Sequence, residues 1–177
     1  MPVDENAQTS VNRIAHEVIG GFLSDIATIK PSPGAGAASG VALAMASALA
    51  RKAVLMTLKH RREAELSQAD GRLATIGEAA LALADEDAAR FAAMLAAKHE
   101  GPAAADCVDD EAQALDDLAK RMLALCDEVD LIVQGVRPII NANMTNDLTA
   151  ALSLSESAAA IQRANASELA SPNSSGV

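Results

Sequence analysis

The stretch from residue 31 to residue 59 constrains the fold more than any other. Pro31 and Pro33 fix the backbone as a turn, and Gly34 frees it again. A helical run follows that carries no charge until Arg51. Gly36, Gly40, Ala44 and Ala48 recur every four residues, which leaves one stripe of this helix almost bare and open to close approach by a second helix. The other faces carry Val41, Leu43, Met45, Leu49, Val54, Leu55 and Met56. A helix apolar nearly all round belongs in the middle of a bundle. Its glycine-rich start exposes N–H groups at the positive end of the helix dipole, which makes a seat for an anion.

The rest of the composition supports a helical chain. Half of the 177 residues are apolar, yet only Phe22 and Phe91 are aromatic, and alanine supplies much of the apolar share. Alanine has the highest helix propensity and permits close packing. β-branched residues are sparse, and no segment alternates with period two. The expected fold is therefore an all-α, single-domain bundle of about five or six helices around a glycine-entered central helix. The net charge of −10 argues against a nucleic-acid partner. Arg51, Lys52, Lys59, Arg61 and Arg62 form the one basic cluster. It reads either as a solvated helix end, with cations against the C-terminal dipole, or as an attractor for a small anion.

The cysteines, Cys107 and Cys126, have neither metal-ligand nor redox-motif spacing, so free thiols in a reducing cytoplasm are expected. His16, His60 and His99 are scattered, and no metal site is expected. The acidic, polar start does not resemble a signal peptide. The uncharged run from 31 to 50 has membrane length, but its prolines, serines and glycines make it too weakly apolar to be read as a span.

Residues 1–9 are expected to be mobile, 10–170 to form the helical domain, and 171–177 to be a loose tail. Val11, Ile14, Ala15, Val18, Phe22, Leu23 and Ile26 outline a first amphipathic helix. From about Arg61 to Lys98, an inward stripe runs through Leu66, Ala69, Leu73, Ile76, Ala80, Leu83 and Ala84, reaches Asp87, and continues with Phe91 and Met94. An acid on that stripe reads either as a satisfied structural carboxylate or as a group tuned by burial. Gly101-Pro102 breaks the chain. A further helix presents Leu115, Leu118, Met122, Leu125 and Val129 inward, and is interrupted by Gly135 and Pro138. The polar segment Asn141–Asp147 suits a helix start, with Asp147 in the first turn. A last helix extends to about Leu169, with Leu148, Leu152, Leu154, Ala158 and Ile161 apolar. Asp147 and Asn165 lie five turns apart on it, about 27 Å, too far to share one small site within the chain.

Three stretches resemble the cyclodeaminase/cyclohydrolase family, which comprises the cyclodeaminase domain of formiminotransferase-cyclodeaminase and bacterial methenyltetrahydrofolate cyclohydrolases. The first is Phe22-Leu23 followed by Pro33-Gly34-Ala35-Gly36-Ala37, similar to the family's Pro-Gly-Gly-Gly-Ser entrance. The second is Asp85-Glu86-Asp87-Ala88-Ala89-Arg90-Phe91, similar to Asp-x-Asp-Ala-x-x-Phe. The third is Asn141-x-Asn143-x-x-x-Asp147 with Asn165 five turns later. Departures from the pattern are Ala35, Ala37, Asn146, Leu58 after Thr57, and Leu169, so the resemblance is that of a divergent member.

The resemblance implies a helical homodimer in the cytoplasm that acts on a folate one-carbon unit. The reaction would be hydrolysis of 5,10-methenyltetrahydrofolate to 10-formyltetrahydrofolate, or cyclisation of 5-formimidoyltetrahydrofolate with loss of ammonia. The small-molecule folate would be the only partner besides a second copy, with no metal and no cofactor beyond the tetrahydrofolate substrate. Asp87 and Asp147 would be the catalytic carboxylates. Pro33, Gly34, Gly36, Asp85 and Asn143 would line the substrate site, and Lys59 and Arg62 would attract the carboxylates of the glutamate tail. The alternative is a catalytically retired helical dimer that binds a folate-like ligand or a protein partner without turnover.

Overall fold

The computed structural model describes residues 18–169, and every described regular element is helical. The expected mobile start and loose tail, and the first turns of the first predicted helix, lie outside the described residues. The helices are α1 (Val18–Ile26), α2 (Ala35–Leu58), α3 (Ala64–Glu100), α4 (Ala105–Val136) and α5 (Thr145–Leu169). Single 3₁₀ turns, Pro102–Ala104 and Ala142–Met144, lead into α4 and α5.

Helices α2 to α5 form an up-down-up-down ring. Helix α2 packs against α3 and α5, α4 closes the ring between those two, and α2 also touches α4 across the diagonal. Cross-links fix the antiparallel registers. Ser47 Oγ donates to the Leu73 carbonyl at 2.6 Å, Gln162 Nε2 donates to Ser39 Oγ at 2.6 Å, and Ser155 Oγ donates to the Cys126 carbonyl at 3.3 Å. Buried side-chain polar atoms are paired among the described residues, except Asp130 Oδ1.

The α3 stripe packs as its spacing predicts: Leu66, Ala69, Leu73, Ile76, Ala80, Leu83, Ala84 and Met94 are all buried. The α4 stripe holds at Leu115, Leu118, Met122 and Val129, whereas Leu125 is only partly buried and Cys126 is buried beside it; α4 continues through Gly135 to Val136, so the interruption falls at Pro138 and not at the glycine. In α5 the buried set is Leu148, Ala151, Ser155, Ala158, Ala159 and Gln162, while Leu152, Leu154 and Ile161 are only partly buried. The core face is thus turned towards smaller residues, because α2 approaches closely there.

Helix α2 corrects its own simplest reading. Gly36 and Gly40 are buried, but Ala44 is half-buried and Ala48 is exposed. Residues four apart advance about 40° round a helix, so a strict four-residue stripe winds off a neighbour within three steps. The buried face follows Gly36, Gly40, Leu43, Ser47, Ala50, Val54 and Thr57 instead. A methyl group at Gly40 would stand 2.7 Å from the Ala80 carbonyl oxygen and 2.8 Å from the Ala84 Cβ, so the bare surface is required at that crossing. By length and composition alone α2 could cross a membrane. Here it is packed between α3 and α5, with Met45, Leu55 and Met56 left exposed on its outer side.

Candidate active site

Gly34 stands at the N-cap of α2 in an extended conformation, with no side-chain cap. The Ser32 hydroxyl ties this turn to α3 by donating to the Ala88 carbonyl at 2.8 Å. The anion seat foreseen at this helix start is occupied by the protein's own Asp87. The Asp87 carboxylate lies directly on Gly36, where a methyl group would collide with both of its oxygens. Burial pushes the Asp87 carboxyl above its ordinary value, and the Ala37 N–H, which offers it a hydrogen bond, pulls the other way. No cation pairs with Asp87 among the described residues. Of the structural readings left open by the sequence, an ion pair is not found among the described residues, whereas a backbone hydrogen bond is present beside the burial.

Beside this point, on the outer side of α2 and α3, lies a groove of about 570 Å³. Ile19 and Phe22 of α1 form one wall, and Pro33, Ala37, Val41 and Asp85 are among the residues opposite. Asp85 is exposed and unpaired among the described residues.

The opposite end of α2 differs in kind. Asp147, in the first turn of α5, pairs with Lys52 at 3.3 Å. Arg51 pairs with Asp70 at 2.6 Å. Arg61 pairs with Glu63 at 2.8 Å and donates to the Ile139 carbonyl at 3.1 Å. The Asn141 N–H donates to Thr57 Oγ1 at 3.0 Å, and the Asn141 side chain accepts from the Asn143 N–H at 3.0 Å. Asn143 itself is exposed. Of the basic cluster's lysines and arginines, Lys59 and Arg62 alone have no partner among the described residues, and both are exposed.

The residues singled out by sequence therefore fall into two groups. Pro33, Gly34, Gly36, Asp85 and Asp87 gather at the start of α2. Lys59, Arg62, Asn143 and Asp147 gather at its end. Gly36 and Lys52 are separated by about 24 Å of helix, so one chain does not bring Asp87 and Asp147 together. Asn165 proves informative: it lies one turn beyond Gln162, whose bond to Ser39 sets that level, and so stands at the Asp87 end.

The Ser39–Gln162 pair was missed by sequence reasoning. Both side chains are buried beside the α2 start. Gln162 falls on the stripe Ser155, Ala158, Ala159, Gln162, so its signal was the one that flagged Asp87: a polar residue in an apolar phase. Among the described residues, no group of His, Cys, Asp and Glu could hold a metal ion.

A family model described as formiminotransferase-cyclodeaminase matches residues 18–167. The chain belongs to that family. A solved formiminotetrahydrofolate cyclodeaminase from Thermotoga maritima superposes with a TM-score of 0.77, covering 89% of this chain and 80% of that one at 17% identity. No curated protein matches the sequence. At that identity the solved structure speaks for the fold, and membership rests on the family match.

Proposed function

We propose that the protein is a folate one-carbon enzyme of the cytoplasm, working as a homodimer, with Asp87 as its acid–base group. It hydrolyses 5,10-methenyltetrahydrofolate to 10-formyltetrahydrofolate, or cyclises 5-formimidoyltetrahydrofolate with loss of ammonia. Family membership supports the substrate class. The observation that carries the role is the Asp87 carboxyl: half-buried, without a counter-charge among the described residues, raised by burial, and seated at a helix start that only glycine can supply.

Both reactions pass through a carbon flanked by two nitrogens that carries positive charge. A carboxylate beside that carbon stabilises the cation electrostatically. In the hydrolysis, Asp87 takes a proton from water as its oxygen adds to the methenyl carbon and returns it to N5 as the C–N5 bond opens, and the remaining hydroxyl proton leaves to solvent as the formyl C=O forms. In the cyclisation, N10 attacks the carbon of the protonated formimidoyl group, and Asp87 carries the N10 proton to the departing nitrogen, which leaves as ammonia as the methenyl cation forms. A carboxyl raised by burial is better matched to proton transfer near neutral pH than an ordinary aspartate. The groove beside Pro33, Ala37 and Asp85 gives the flat pterin an apolar wall in Phe22 and Ile19.

The test is loss of methenyl absorbance in the presence of purified protein, and release of ammonia from the formimidoyl compound. The proposal expects acceleration of one of them and its loss in Asp87→Asn. Tight folate binding without either turnover would instead favour the retired, ligand-binding reading.

A further inference from the structure

Helix α2 starts without a capping side chain. The Ala38 N–H closes its first turn on the Gly34 carbonyl at 3.0 Å. The Ala37 N–H is therefore the last one that the helix itself leaves free, and it donates to the Asp87 carboxylate. The carbonyl of that same peptide unit, on Gly36, accepts a 2.7 Å hydrogen bond from the Ser39 hydroxyl. A hydroxyl has one proton to give. With that proton on Gly36, Ser39 can only accept from its other neighbour, and Gln162 Nε2 of α5 donates to it at 2.6 Å. The bonds thus run in one direction, from Gln162 through Ser39 and the Gly36–Ala37 peptide to Asp87.

We infer that Ser39 and Gln162 are positioning residues for Asp87, holding the Gly36–Ala37 peptide so that its N–H stays aimed at the carboxylate. A hydroxyl that bonds back to a carbonyl three or four residues earlier is common in helices. What sets this one apart is a donor behind it and an acid in front of it. Two comparisons separate the role from one in helix register alone. Ser47 and Ser155 each donate across to a carbonyl of the neighbouring helix, whereas Ser39 turns its proton back to the start of its own. Ser39 and Gln162 are also both buried, and an apolar pair of the same size would hold the crossing without that desolvation.

A donor on a peptide oxygen polarises the peptide and strengthens its N–H. The relay therefore favours the charged form of Asp87, against the burial that opposes it. Ser39 and Gln162 carry no charge themselves. Of the charges on the surrounding elements, Asp85 on α3, Asp25 on α1 and Arg163 on α5 are exposed, Glu86 and Arg90 are paired with Arg121 and Glu111 of α4, and α2 has none before Arg51.

The test uses Gln162→Met and the double variant Ser39→Ala/Gln162→Met, with helicity and urea unfolding as controls. The double variant replaces both polar partners by apolar ones, so no buried group is stranded. In wild type the Ala37 amide resonance should follow the titration of the Asp87 carboxyl carbon. In the double variant that coupling should weaken, and Asp87 should titrate about a few tenths of a pH unit higher. Gln162→Met, which removes only the outermost donor, should move both readings the same way by less. Resting on the folate reading proposed above, kcat should fall roughly tenfold in the double variant with KM little changed. The same substitutions added to Asp87→Asn should lower turnover no further. A folded double variant, or Gln162→Met should the double not fold, with the Asp87 midpoint and Ala37 resonance of wild type would make the pair a structural link only and overturn the inference. So would a shifted midpoint with unchanged kcat in a chain whose wild type is active. A wild type that turns over no folate would instead refute the proposed function and leave the two titrations to judge the relay.

Discussion

The two ends of α2 carry acids under opposite conditions. At its C-terminal end, Asp147 and Asp70 are matched by Lys52 and Arg51. At its N-terminal end, Asp87 is held against Gly36, and no cation pairs with it among the described residues. An isolated half-buried carboxylate is costly, while a paired one near the surface is close to neutral in energy. A chain that pairs its acids at one end and leaves one uncompensated at the other bears that cost at a place where a cationic substrate would relieve it. The contrast separates acids held in ion pairs from the one to which the proposal gives the chemistry.

The sharpest way to break the contrast is to neutralise each acid in turn. Asp87→Asn should lower turnover about 100-fold or more. Asp147→Asn should leave it within a few-fold, both read as the rate of methenyl absorbance loss. Equal losses would mean that the two ends do not differ in role.

The next largest effect concerns the bare helix start. Gly36→Ala and Gly40→Ala each overpack a contact and should cost about 1–3 kcal/mol in urea unfolding. Gly36→Ala should also abolish turnover by displacing Asp87, while Gly40→Ala should spare it where the protein stays folded.

The pH dependence of stability sharpens the comparison further. Burial raises the Asp87 carboxyl above its unfolded value, so the fold favours the protonated form. Its contribution to stability is complete below the unfolded value and is lost as pH rises through the folded one. Asp87→Asn should therefore melt higher than wild type at neutral pH, with the gain vanishing in acid. The smallest effect belongs to the paired end. A double-mutant cycle on Lys52 and Asp147 should return about 0–1 kcal/mol and weaken with salt.

How far this could be read from sequence depends on side-chain size. On α3 the inward residues are large, and their period alone gave the buried face, including the anomaly at Asp87. On α5 the eye follows leucines, but the buried phase runs through Ala151, Ser155, Ala159 and Gln162, because close approach to α2 selects small residues. On α2 nearly every position is apolar, so composition marked a central helix without showing which face stays bare. The seat for an anion was legible in Gly34 and Gly36, but its occupant was not, since Asp87 reaches it only through the antiparallel register of α2 and α3. The pairing of Lys52 with Asp147 spans 95 residues and leaves no periodic trace. The cysteines divide similarly: both are free, but Cys126 is buried, which pushes its thiol up to about 11, while Cys107 is exposed, and the two could only be told apart in three dimensions.

The account stands on the state of one carboxyl group, and carbon-detected NMR titration of the Asp87 side chain measures it directly, with Asp87→Asn identifying the signal. The account predicts a midpoint above the ordinary aspartate value of about 3.9, shifting when a tetrahydrofolate is added. A midpoint at or below that value, unmoved by folate, would contradict it.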